Sequence, residues 1–295
     1  AVRDDPNGRF ADIVRAFDLN GDDADLLLLA IVPEISAGYG RIFSYLHDNL
    51  NRTWLTVDLA SRILRTNRTE RLGLTSRLMR SAPLTKNRLV QLSDSPSPEA
   101  FSERRVSLSP RLLRWLFDGE ELPQSPGFQP LDTTFKPLIS NKTQARLDEL
   151  IGGLKEAYTF VLVGANSGAR EGVAIAIARA SSSPLVRVDL ERCQEYLDQP
   201  WDLIRELRLA SAIPFLVNVL EAQEDPAKRN KLQALGSALA SLKSPILVGA
   251  ADRRSVGGLL GAERPSVTVV ASKTSFEERQ ESWDRALSVR GWDRD

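Results

Sequence analysis

Apolar residues are spaced in two ways along this chain. Up to about residue 117 they recur every three or four positions, as on one face of a helix. Phe10, Ile13, Val14 and Phe17 mark a helix over residues 9–19, and Asp18 to Asp23 reads as a turn and cap cluster. Residues 25–33 form an apolar helix, and residues 38–50 another, carrying Tyr39, Ile42, Phe43, Tyr45 and Leu46. Thr56 is placed to cap a helix over residues 57–64, with Asp58 in its first turn, where negative charge suits the helix dipole. A further helix covers residues 69–79. Two short β-like runs follow, 87–92 and 104–108, separated by a Ser/Pro-rich loop at 93–98. Ser109-Pro110 opens a last helix over 111–117, with proline in its first turn. Several helices followed by a two-strand ribbon form the layout of a winged-helix domain.

The spacing changes after residue 142. Strands are predicted at 158–163, 185–190, 214–220, 245–248 and 266–271. Between and around them lie helices at 142–154, 170–180, 201–212, 225–242 and 276–287. This alternation predicts a parallel α/β sheet covered on both faces. Residues 119–140 hold Pro123, Pro126, Pro130 and Pro137 and are read as a linker able to continue neither helix nor sheet. The expected division is a winged-helix-like domain over 1–125 and an α/β domain over 126–295.

Composition narrows the function classes. The 295 residues are 42% hydrophobic, with a formal net charge of zero. No strong electrostatic pull toward nucleic acid or an anionic membrane is built in. No apolar run approaches the roughly 18 residues that span a bilayer. The single cysteine, Cys193, forms no internal disulfide, and a reducing cytoplasm is the expected location. The chain begins at alanine and is expected to be a fragment of something longer. His47 lacks neighbouring ligands, so no metal site is expected there. Arg71, Arg77 and Arg80 lie on the candidate recognition helix without the interleaved polar residues that read bases, so protein docking is preferred over nucleic-acid binding.

The chemistry to be weighed lies in Gly164-Ala165-Asn166-Ser167-Gly168-Ala169-Arg170-Glu171, between a buried strand and an Ala-rich helix. That is the frame of a phosphate-cradling loop, G-x-x-x-x-G-K-[ST]. Gly164 fits its first position. Ala169 stands at the second glycine, Arg170 at the lysine and Glu171 at the magnesium-binding hydroxyl. The extra Cβ of Ala169 hinders close approach to phosphate. Arg170 keeps a positive charge but is longer and planar. Glu171 repels phosphate. An ATPase of this layout needs an acidic pair after its third strand, one acid for magnesium and one to polarise water. Asn218 and Val219 occupy those positions, and Glu221 comes two residues late. After the next strand, Asp252 stands where a polar γ-phosphate sensor is expected.

With these positions, the chain resembles AAA+ ATPase-family proteins with an N-terminal winged-helix domain, of the kind found beside contractile phage-tail-like injection systems. The marks are Gly38 to Asp48, Thr56 to Ala60, Ala82-Pro83-Leu84 running into Arg88-Leu89-Val90, and Glu278-Arg279-Gln280-Glu281-Ser282-Trp283 near the end. The resemblance maps the family's nucleotide residues onto Gly164, Ala169, Arg170, Glu171, Asn218, Val219 and Asp252. Contacts are expected at Gly164, Ser167, Gly168, Ala169, Arg170 and Glu171, while Asn218 and Glu221 stand in a degenerate acidic-pair region and Asp252 at the sensor position, with no catalytic residue assigned. Most of these depart from the family pattern. The family often carries two ATPase-like modules, the earlier one degenerate, and this chain is similar to the earlier one. The expectation is a non-catalytic module for ring assembly with other ATPase-family modules or subunits, docking a protein partner through the winged helix. ATP or ADP is expected to bind weakly at most, and magnesium is disfavoured. Two rivals stand beside it: a slow ATPase using Arg170 and Glu221, and a winged-helix nucleic-acid binder.

Overall fold

The computed structural model describes residues 8–93, 100–119, 122–153, 158–219, 226–260 and 264–289. The chain divides into two compact units, Ala1–Glu121 and Leu122–Asp295.

The first unit opens with α1 (Arg9–Ala16), α2 (Gly21–Ile35) and α3 (Gly38–Leu46). The cap cluster has a defined partner set. Asn20 accepts the Asp23 N–H at 2.9 Å and Asp23 accepts the Asn20 N–H in return, a reciprocal capping box. This sets the start of α2 at Gly21, four residues before the apolar run. Next come α4 (Val57–Leu64), α5 (Arg68–Ser76) and the short α6 (Pro83–Lys86). Thr56 caps α4 by accepting the Leu59 N–H at 3.1 Å, as its sequence position predicts. Strands β1 (Val90–Leu92) and β2 (Val106–Leu108) form an antiparallel ribbon, Val90 opposite Leu108 and Leu92 opposite Val106. Helix α7 (Pro110–Leu113), capped by Ser109, continues into a π-turn over Arg114–Asp118. Gly119 then ends it at φ 75°, a left-handed geometry suited to glycine. Helices followed by this ribbon make the unit a winged-helix domain. The Ser/Pro-rich loop expected at 93–98 lies almost wholly outside the described residues.

The second unit is a six-stranded sheet: β3 (Phe128–Leu131), β4 (Thr159–Val163), β5 (Leu185–Asp189), β6 (Ile213–Val217), β7 (Ile246–Ala250) and β8 (Ser266–Val270). Spatial order is β3-β5-β6-β7-β4-β8, with every pairing parallel except β3 with β5. Helices α8 (Asn141–Gly153) and α9 (Ser167–Ala180) cover one face, packing on Phe160, Leu162 and Phe215. The other face, carrying Val161, Leu216 and Val248, is covered by α10 (Glu195–Asp198), α11 (Pro200–Leu209) and α12 (Pro226–Leu239). Helix α13 (Phe276–Val289) closes the described chain. Among the described residues no helix is long and apolar enough to cross a membrane.

Strand β3 corrects the reading of residues 119–140 as a linker outside the sheet. Phe128 pairs opposite Val188 and Pro130 opposite Val186. A proline lacks the ladder N–H, and an outermost strand tolerates that loss because one of its sides meets no neighbour. Phe128 is buried and meets the Tyr196 ring edge-on at 6.0 Å, which anchors the strand.

Candidate functional site

Strand order fixes where a ligand would sit. The chain leaves β4 through α9 on one face and crosses to β5. It returns through α11 and α12 on the opposite face to β6 and β7, and after β7 continues on that same face through Val256 and Leu259. Connections from the adjacent strands β4 and β7 thus diverge to opposite faces, which places the switch-point crevice at their carboxyl ends. Gly164 to Arg170 and Asp252 border that crevice, and Asn218 follows the next strand over.

The loop after β4 is short. Helix α9 begins at Ser167, three residues earlier than its apolar pattern indicates, because Asn166 caps it by accepting the Ala169 N–H at 3.2 Å. Ser167 and Gly168 fall in the exposed first turn. One N–H that a phosphate would use is therefore already bonded within the helix cap. Gly164 donates its N–H to the Ala250 carbonyl at 3.2 Å, which ties the loop down to β7.

Arg170 folds back across this loop and donates to the Gly164 carbonyl. Its Nε is buried without a hydrogen-bond partner. Burial pulls its pKa below the ordinary guanidinium range. The side chain lies over β7 at Gly249. A methyl there would come within 3.0 Å of the Phe215 ring and 3.5 Å of Arg170 Nε. The absence of a side chain at Gly249 is what admits both groups.

The acids and amides are likewise paired within the fold. Glu171 faces Arg187 of β5 at 3.9 Å. Asn218 stands at φ 51° after β6, and its Nδ2 donates to Asp189 Oδ2 at 2.9 Å. Val219 packs against the core of the α11/α12 face. Asp252 accepts the N–H groups of Arg254 at 2.7 Å and Ser255 at 3.1 Å, capping a short 3₁₀ turn over Arg254–Val256. Glu221 lies outside the described residues.

Asp189 is the residue that sequence reasoning missed. It ends β5, is 6% exposed, and receives the Glu191 and Arg192 N–H groups at 3.2 and 3.4 Å as well as the Asn218 amide. Its one sequence signal is an acid inside the otherwise apolar run Leu185 to Leu190. Among the described residues, no cluster of three or more His, Cys, Asp or Glu side chains is arranged to hold a metal ion.

Gly164 has a structural reason of its own. A Cβ at this position would meet the Ala271 carbonyl oxygen at 2.7 Å, a clash with backbone. Gly164→Ala is therefore expected to cost about 1–3 kcal/mol by overpacking, in the complete absence of nucleotide. Urea denaturation checks this. An unchanged midpoint would mean that the glycine serves something other than this close approach.

Residues 4–125 match the family model described as winged helix domain, variant, in agreement with the helix-and-ribbon layout of the first unit. No curated protein sequence matches the chain.

Proposed function

We propose that this chain is a catalytically silent AAA+-like module, which keeps the nucleotide-binding architecture for assembly with other ATPase-family subunits and docks a protein through its winged helix. The observation that carries this reading is that the residues at the nucleotide positions bond to their own chain. Arg170 is turned onto Gly164, Asn166 onto Ala169, Glu171 toward Arg187, Asn218 onto Asp189, and Asp252 onto a 3₁₀ turn. ATP or ADP would have to displace Arg170 from the crevice and then face Glu171. Magnesium would find an amide and Val219 where it needs carboxylates. The fit to a magnesium nucleotide is poor, and no catalytic step is assigned to this chain.

The docking half of the reading rests on the first unit. Tyr39, Ile42 and Tyr45 lie at a spacing of three along α3 and are exposed, Tyr45 to 84%. A partner with an apolar ridge fits such a face. Nucleic-acid binding has less support, because two arginines of the recognition-helix region are engaged. Arg71 donates to the Arg65 carbonyl at 3.0 Å, and Arg77 faces the buried Asp23 at 3.7 Å. A reducing cytoplasm suits the buried free Cys193, whose thiol pKa burial pushes up.

Titration with ATP and ADP, with and without magnesium, while following the melting temperature, tests the proposal. No shift is expected at millimolar nucleotide. Saturation at about 100 times Kd would add roughly 2.7 kcal/mol, so real binding would be plain to see. Magnesium-dependent phosphate release that Glu221→Gln abolishes would replace this reading with a slow ATPase.

A further inference from the structure

A second cavity lies away from the switch-point crevice, at the opposite end of the strands. It has a volume of about 200 Å³ and lies between β7, the end of α12 and the Leu259–Leu260 segment. Ile246, Val248, Leu239 and Leu259 form apolar walls, and Thr159 and Arg264 supply the buried polar groups. Small residues at the end of α12 and just after it keep it open: Gly236, Ser237 and Ala240 line it where longer side chains would fill it. At Gly236 the following segment approaches so closely that a Cβ would meet the Leu259 carbonyl oxygen at 2.4 Å.

Arg264 gives the cavity its chemistry. It is 9% exposed, and among the described residues no carboxylate pairs with it. Its terminal nitrogens donate to the carbonyls of Leu242 at 2.6 Å, Tyr158 at 3.4 Å and Ser244. Nε is buried and has no hydrogen-bond partner. A buried cation surrounded by neutral carbonyls is electrostatically suited to an anion. Burial pulls its pKa down to about 10, in agreement with that environment.

We infer that this cavity is a binding site for a short-chain aliphatic carboxylate, its tail between Leu239, Ile246, Val248 and Leu259 and its head at Arg264. The volume lies below the roughly 300 Å³ at which sites for drug-sized ligands begin, so a nucleotide does not fit. The lining favours one negative charge on an unbranched apolar body. The site is independent of nucleotide binding at the other end of the sheet.

Hexanoate is the probe. It should raise the melting temperature of the full chain by a few degrees in a saturable manner. Hexanol and hexylammonium at the same concentration should give less than a tenth of that shift. Methyl NMR should show perturbations confined to Leu239, Ile246, Val248, Leu259 and Leu260. Ser237→Phe places a large ring at the exposed mouth with little risk to folding, and Ala240→Leu fills the interior. Both should remove the hexanoate shift. The inference is overturned if hexanoate acts no better than hexanol, if the methyl changes fall elsewhere, or if Ser237→Phe responds as the parent does.

Discussion

Asn218→Asp, the substitution that restores an acid after the third parallel strand, destabilises the second unit by about 3 kcal/mol at neutral pH and confers no ATPase activity. In the parent the Asn218 amide donates to the buried Asp189 carboxylate at 2.9 Å. The substitution removes a hydrogen bond to a charged group and sets a second carboxylate against the first, so two terms act in one direction. The repulsion acts only when both carboxylates are ionised. The variant should therefore stand nearest the parent at acid pH and fall away from it as pH rises through the carboxylate range. Urea melts at several pH values measure this. A pH-independent difference, or none, would mean that the pairing with Asp189 does not govern this corner.

Arg264→Ala should lower stability by about 3–5 kcal/mol. The guanidinium serves the carbonyls of Leu242, Ser244 and Tyr158 together, at the point where α12 ends and β4 and β7 begin. Removing it strands the Leu242 and Ser244 carbonyls, each costing about 1–3 kcal/mol when no partner replaces the donor, whereas the Tyr158 carbonyl keeps the Ile246 N–H at 3.1 Å. It also leaves the space of the side chain empty. Arg264→Lys keeps one charge but cannot reach three carbonyls with a single ammonium, so it should recover only part of the loss. Chemical denaturation gives both values. A loss under about 1 kcal/mol for the alanine variant would show that water or a local shift satisfies these carbonyls.

Sequence made local features legible and left remote pairings obscure. The Thr56 cap and the helix after it could be read because cap and partner lie three residues apart. Strand-helix alternation gave the α/β class, because a buried parallel strand is a continuous apolar run. The strand at Phe128 is hidden because it is only four residues long, does not alternate and includes Pro130; its evidence is the pairing with β5, more than fifty residues later. At the candidate site the altered loop was visible as letters, but its internal bonding was not. Nothing near Asn218 announces a partner 29 positions upstream. The early start of α9 is legible as well, since asparagine before a helical run is a cap signal.

The strand at Phe128–Leu131 also bears on where the α/β unit can be cut free. A fragment begun at Asn141 would look complete by its parallel strands and helices. It would lack the segment that covers the outer backbone of β5 and the ring that packs beside Tyr196. A bare sheet edge next to an uncovered apolar hollow is a template for self-association. The stretch from Leu122 to Ser140 therefore belongs to the minimal folding unit, and its prolines mark a protected margin rather than a tether.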